Sequence, residues 1–175
     1  RQQFLCGCLE SLESNVAAAG GQLIFRRGNA AVEIEKLIRE TRADAVFTNR
    51  DPDPHGIAME AEVARKCREL GVVFESFKDT VLHERAEVMT GSGTSYRVFT
   101  PYNKSWQAMP KALLLPAVKS LCTPPGIASL PCPSPAIWQL PASTAELPPP
   151  GERAARERMR HALTAIVPDY SERRN

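Results

Sequence analysis

Several large protein classes are excluded by what this sequence lacks. No apolar run approaches the ~20 residues of a membrane-spanning helix. The longest, 112–118, has seven residues and contains Pro116. No leader-like charged and apolar pattern opens the chain. There is no P-loop and no G-x-G-x-x-G, so neither common phosphate-binding fingerprint is present. The five cysteines are odd in number and contain no C-x-x-C. Cys6 and Cys8 are two apart on a predicted helix, where side chains do not face each other, which argues against a shared metal. His55, His83 and His161 have no metal-ligand spacing among them, so no metal site is expected. No Ser–His–Asp order stands out, and no catalytic residue is assigned. Net charge is only +2, too little for the whole chain to bind nucleic acid by charge. Free thiols fit a reducing compartment, so a cytoplasmic protein is expected.

Proline, in contrast, is abundant and unevenly placed. Twelve of the 15 prolines lie between Pro101 and Pro150. The expected organisation is therefore one ordered region, a Pro-rich segment and a short element after it. The first residue is Arg1 rather than Met, which suggests processing or a piece of something longer.

Residues 2–19 have apolar side chains at helical spacing (Phe4, Leu5, Cys8, Leu9, Leu12, Val16) and end at Gly20-Gly21. Residues 23–25 read as a short strand. Asn29 is a candidate N-cap for a second helix, with Val32, Leu37 and Ile38 inward. Residues 45–47 form a second strand. Asp53-Pro54 reads as an N-cap with Pro at the first helical position. The helix it opens carries Met59, Val63, Cys67 and Leu70 inward and stops at Gly71. Residues 72–74 form a third strand. Short apolar strands alternating with amphipathic helices predict an α/β fold with a parallel, Rossmann-like sheet. Ligands bind such sheets beyond the carboxyl ends of the strands. The polar, proline-stiffened loop 48–56, T-N-R-D-P-D-P-H-G, is the obvious candidate.

Past Phe74 the alternation stops. Residues 87–99 suggest two extended pieces around a Gly-rich turn, and Thr100-Pro101 a helix start before Tyr102, Trp106 and Met109. In the Pro-rich stretch only 113–115 and 137–140 are apolar. Residues 152–167 read as a helix with Ala155, Met159, Ala162, Leu163 and Ile166 on one side. The segment from residue 152 has six arginines and four acids. Such a run either faces phosphate or is a solvated helix face. His83, in L-H-E-R, reads as a surface or capping residue. Gly91-Ser92-Gly93 reads as a hairpin turn.

S-F-K-D-T-V-L-H (76–83) and V-M-T-G-S-G-T-S-Y-R-V-F-T-P-Y-N-K-S-W (88–106) resemble the DNA photolyase/cryptochrome family. The match is to the end of its N-terminal α/β domain, which runs F-K-D-x-x-L, then T-x-x-G-x-x-Y-x-V-F-T-P-Y-x-x-x-W. N-R-D-P-D-P-H is similar to the family's N-x-D-x-E-P loop, residues 1–12 to its first long helix, and D-Y-S-E-R-R-N to the opening of its flavin-binding domain.

The resemblance implies a light-dependent DNA repair enzyme, a deoxyribodipyrimidine photo-lyase. It would split pyrimidine dimers with reduced FAD and act as a monomer on UV-damaged DNA, away from membranes. Residues 1–109 would be the antenna-chromophore domain, lacking the family's first two strands. Residues 110–150 would be the interdomain linker, and 151–175 the first helix of the FAD-binding domain. Antenna contacts carry over to Asp51, Asp53 and, at the chain's start, Arg1. Asp53 stands where the family has Glu and also fits as an N-cap. His55 would stack on or hydrogen-bond the chromophore, or face solvent. Folate-type members have Asn-Glu where this chain has His55-Gly56. Glycine supplies no carboxylate, so 8-hydroxydeazaflavin or flavin is expected rather than methenyltetrahydrofolate. Tyr170 matches the tyrosine that opens the FAD site, and Arg174 an arginine that contacts DNA phosphate. Two other readings stay open: a cryptochrome-type photoreceptor without repair, and a stand-alone Rossmann-like ligand-binding module.

Overall fold

The computed structural model of the chain describes residues 1–79, 81–84, 86–139, 141 and 144–173. Its elements in chain order are α1 (Gln2–Ala18), α2 (Ala30–Thr41), β1 (Ala45–Asn49), α3 (Pro54–Leu70), β2 (Val73–Phe77), α4 (Phe99–Ala108), a 3-10 turn (Pro135–Trp138), α5 (Glu152–His161), a π-helical turn (Ala162–Ile166) and α6 (Tyr170–Arg173). They fall into two units. One is Gly28–Ala117; the other combines Arg1–Arg27 with Val118–Asn175.

The first unit is the α/β part. β1 and β2 pair in parallel with Ala45 opposite Val73 and Asn49 opposite Phe77. Local chemistry sets the helix ends as expected. Asn29 Oδ1 accepts the Val32 amide at 3.1 Å and starts α2. Asp53 Oδ1 accepts the Gly56 amide at 2.8 Å and starts α3, with Pro54 just inside. Gly71, at φ 72°, closes α3 in the left-handed conformation that glycine adopts without a Cβ clash.

Ala31 and Ile38 of α2 meet Val63 and Cys67 of α3 in a small core, against which Val46, Leu70, Val72 and Phe74 pack. Burial pushes the Cys67 thiol pKa up, so this cysteine is an inert core residue. Across the outer seam Lys66 reaches Glu35 at 3.0 Å and Glu69 at 3.1 Å. Val32 and Met59 are exceptions to the predicted buried faces, at 48% and 41% exposed. On α2 the core takes Ala31 instead, while on α3 the predicted Val63 and Cys67 are buried.

The 87–99 region makes a single antiparallel bridge, Met89 to Ser95, closed by Thr90 N–H to Thr94 O at 2.8 Å. The start of α4 also differs from expectation. Val98 is the N-cap and Thr100-Pro101 lie inside the first turn. A proline is tolerated there because first-turn amides have no intrahelical partner.

In the second unit residues 23–25 are not a strand. Their neighbourhood accounts for this. Gln22 N–H donates to the Thr123 hydroxyl at 2.8 Å and Phe25 N–H to the Ser129 hydroxyl at 2.9 Å. Leu130 N–H donates to Phe25 O at 2.9 Å. A segment bonded largely to side-chain hydroxyls forms no ladder. The apolar stripe of α1 buries only Cys6 fully, leaving Leu5 and Leu12 about half exposed. The 152–167 helix is present as α5 plus the π turn, but Met159, Leu163 and Ile166 are exposed rather than inward. Leu140, in the predicted apolar stretch 137–140, lies outside the described residues. Among the described residues no helix is long and apolar enough to cross a membrane.

Asp53→Ala is expected to cost about 1 kcal/mol through loss of the α3 cap. Asp53→Asn should retain most of that stability, read as the denaturant midpoint.

Candidate functional site

Beyond the carboxyl ends of β1 and β2 lies a cleft of about 720 Å³. Three segments build it. Arg50, Asp51 and Pro52 follow β1; Ile57, Glu60, Ala61 and Ala64 come from α3; and Asp79, Val81, His83, Glu84 and Ala86 follow β2. The α3 residues recur at i, i+3, i+4 and i+7, so they share one helix face. Ala61 and Ala64 give that face two side chains that end at Cβ.

Arg50 organises the rim. Its amide donates to Phe77 O at 2.8 Å, continuing the ladder past β1. Its Nε donates to Glu84 Oε1 at 2.8 Å, tying the two loops together. The loop after β2 has a second tie. Lys78 Nζ donates to both carboxylate oxygens of Glu87, at 2.7 and 2.9 Å, and Glu84 N–H donates to Glu87 Oε2 at 2.6 Å. The Lys of the F-K-D block thus shapes the cleft wall.

Lys78, then the Glu84 amide, hold the Glu87 carboxyl below the usual carboxylate range. A lowered folded-state pKa gives stabilisation that is present above the unfolded value of about 4.3 and is lost as pH falls through the folded value. The Glu84 amide resonance should therefore shift in an NMR titration only at pH values below the ordinary glutamate range. Lys78→Met should move that shift upward to ordinary glutamate values.

Asp51 lines the cleft, its Oδ1 accepting the Asp53 amide at 3.1 Å. A Cβ on Gly56 would lie 2.4 Å from Asp51 Cβ and 2.7 Å from its Cγ. Glycine at 56 is therefore required by close packing of the loop on the first turn of α3. Asp53 does not line the cleft; its carboxylate is taken by the cap. His55 is exposed on the first turn of α3 and is outside the cleft lining. Arg1 is the exposed N-cap of α1, without a side-chain cap bond, in the other unit. Tyr170, 60% exposed on the short α6, also belongs to that unit. Arg174 lies outside the described residues.

His83 corrects its sequence reading as a surface residue. It is only 9% exposed, and its ring stands edge-on to Trp106 at 5.5 Å and 82°. Its Nε2 is buried with no hydrogen-bond partner among the described residues. Lys111 Nζ lies 4.6 Å above the other partner in this stack, the Trp106 ring, while donating to the carbonyls of Trp106, Gln107 and Met109. The only sequence signal for this was that His83 and Trp106 end the two neighbouring blocks, 76–83 and 88–106, that carry the family resemblance. Glu60, His83 and the Arg50–Glu84 pair were missed as site residues.

Among the described residues no group of three or more His, Cys, Asp or Glu is placed to hold a metal ion. The cleft lining brings together the carboxylates of Asp51, Glu60, Asp79 and Glu84, the His83 side chain and the alanines of α3. Tyr170 alone does not make an FAD site.

Comparisons with known proteins agree with this architecture. The DNA photolyase family profile matches residues 1–124. The chain is 29% identical to a deoxyribodipyrimidine photo-lyase of Synechococcus over 190 aligned residues, covering all of this chain and 38% of that protein. It is 38% identical over 109 residues to the deoxyribodipyrimidine photo-lyase of Agrobacterium fabrum, covering 62% of this chain and 22% of the other. The crystal structure of a bacterial class III photolyase from Agrobacterium tumefaciens superposes with a TM-score of 0.86 at 28% identity, covering 98% of this chain and 37% of that one. The chain thus spans under two thirds of the length of these relatives. With 124 of its residues matched by one family profile, the chain belongs to the DNA photolyase family.

Proposed function

We propose that this chain is the antenna-bearing part of a light-dependent DNA repair enzyme, a deoxyribodipyrimidine photo-lyase. In this reading the cleft holds a light-harvesting chromophore whose excitation energy passes to a reduced FAD. The observation that carries the reading is the cleft itself. A chain of this family has, past its parallel strands, an open cleft of about 720 Å³ lined by Asp51 and His83. Cavities of a few hundred Å³ with few convergent polar groups are typical ligand sites.

Asp51 and His83 are the chromophore contacts best supported by position. Asp53 serves mainly as the cap of α3, and His55 and Arg1 contribute only if the chromophore extends past the cleft. Binding of methenyltetrahydrofolate through a glutamate at position 56 is disfavoured sterically, because Asp51 occupies the space that side chain needs. An 8-hydroxydeazaflavin or a flavin is the better fit. Residues 1–109 would form the antenna domain, 110–150 the linker and 151–175 the start of the FAD-binding domain, with Tyr170 toward FAD and Arg174 toward DNA phosphate. The partner is UV-damaged DNA, bound by a cytoplasmic monomer.

The test is repair by the protein encoded by the complete reading frame that contains this chain. Reduced and illuminated with blue light, it should remove cyclobutane pyrimidine dimers from an oligonucleotide. Bound flavin with no dimer loss would instead favour a photoreceptor of cryptochrome type. Absence of bound flavin would favour a stand-alone ligand-binding module.

A further inference from the structure

The cationic stretch near the end of the chain forms an ordered face on α5. That helix carries four arginines, Arg153, Arg156, Arg158 and Arg160, and no lysine, against two acids, Glu152 and Glu157. It packs on α1, and a Cβ on Gly151, where it begins, would collide with the Ser11 side chain of α1. Between positions 152 and 162 only Ala154 and Ala162 are partly buried. At 3.6 residues per turn, Arg153, Arg156 and Arg160 fall within about 60° of one another, on the side away from those alanines. All three are exposed. Arg158 falls on the other side of the helix. The row of three is about 10 Å long. Three phosphates of one DNA strand cover a similar length, at about 3.4 Å each along the duplex axis.

Helix stability does not account for this row. Arg158, Arg160 and His161 suit the negative end of the helix dipole in the last turn. Arg153 stands in the first turn, where the dipole disfavours a cation. Among the described residues neither Arg153 nor Arg160 has an ion-pair partner. Arg156 Nη2 meets Glu152 Oε1 at 2.6 Å, but both side chains are more than 60% exposed, so the pair contributes little. Arginine, unlike lysine, presents a planar fork that binds two phosphate oxygens at once.

We infer that the Arg153–Arg156–Arg160 face of α5 is a sequence-independent surface for the phosphate backbone of duplex DNA. The choice of partner rests on the repair reading of this DNA photolyase family chain. The face adds three contacts to the one, Arg174, that the family resemblance supplies.

Anisotropy of a labelled DNA duplex, titrated with the full chain at several salt concentrations, tests it. Irradiated and unirradiated duplexes should bind alike, because phosphate contacts read no bases. Replacing all three arginines by Gln should weaken binding at low salt by about tenfold or more. The slope of log affinity against log salt should become shallower by roughly 2.7, about 0.9 per lost phosphate contact. The triple Lys variant should keep most of the slope. Arg160→Gln alone should lower the slope by about 0.9, whereas Arg158→Gln, the same charge change on the other side of α5, should leave it in place. Far-UV dichroism should be unchanged in every variant, since the replaced side chains are exposed.

A triple Gln variant that binds as the parent does, with the same slope, would overturn the inference. So would equal losses in Arg158→Gln and Arg160→Gln, because net charge rather than this face would then be responsible. Binding to phosphatidylserine vesicles with none to duplex DNA would overturn it in favour of a membrane surface. Dimer loss under blue light in the protein of the complete reading frame is read separately. Repair that proceeds while the substitutions change nothing in DNA binding overturns the arginine face and leaves the photo-lyase reading standing. DNA binding through the face without repair upholds the face and contradicts that reading.

Discussion

Gly56→Ala is expected to destabilise the Gly28–Ala117 unit by about 1–3 kcal/mol, the range for inserting a methyl into a packed site. The reason is local. The new Cβ would stand 2.4 Å from the Cβ of Asp51, an atom fixed to the backbone rather than the mobile end of a side chain. Either the loop 50–53 lifts or the first turn of α3 unwinds. Both responses move Asp51 out of its place in the cleft lining and disturb the cap made by Asp53. Chromophore affinity should therefore fall together with stability.

The double variant Asp51→Gly/Gly56→Ala separates the causes. It removes the clash, so most of the lost stability should return, a coupling that a double-mutant cycle reads directly. Affinity should stay low, because the Asp51 carboxylate is gone. If Gly56→Ala costs nothing in a denaturant titration, the close approach of loop and helix is wrong.

Ile38→Ala should cost about 2–5 kcal/mol, the usual range for emptying a buried isoleucine site. Ile38 is 7% exposed and sits with Ala31, Val63 and Cys67 at the centre of the only core cluster among the described residues. So small a cluster has little else to compensate, because β1 and β2 leave Phe47 and Val73 more than half exposed. The upper part of the range is expected, measured as the drop in unfolding free energy from the denaturant midpoint. Val32→Ala, on the same helix but 48% exposed, should change it by less than about 0.5 kcal/mol. The contrast between the two tests which face of α2 is buried.

Those two helix positions also show how far the sequence was legible. The ends of α2 and α3 were readable because their chemistry is local, whereas the start of α4 was read two residues late. Asn29, Asp53-Pro54 and Gly71 each act on backbone within a few residues. The parallel pairing of β1 and β2 was readable from strands alternating with helices. Whether 23–25 forms a strand was not, because strand identity depends on a partner. Here the hydroxyls of Thr123 and Ser129, about a hundred residues along, take two of the local amides. Helical spacing found the stripes of α1 and α5, but spacing cannot say whether anything covers them, and Leu5 and Met159 are exposed.

At the site, Asp51 was marked by the loop that carries it. His83 was not, because polar neighbours in L-H-E-R suggest solvent, while its burial comes from Trp106 on a helix further along the chain. The Arg50–Glu84 pair joins two loops separated by all of α3, which no short motif reports.

The most direct test of the account is where a chromophore binds. Amide hydrogen exchange of the full chain with and without 8-hydroxydeazaflavin measures this residue by residue. The account predicts slowed exchange at 50–53, along the 57–64 stretch of α3, and at 79–86 where amides are measurable, with α1 and α5 unchanged. Slowed exchange confined to α1 or α5, or none anywhere at saturating chromophore, would contradict it.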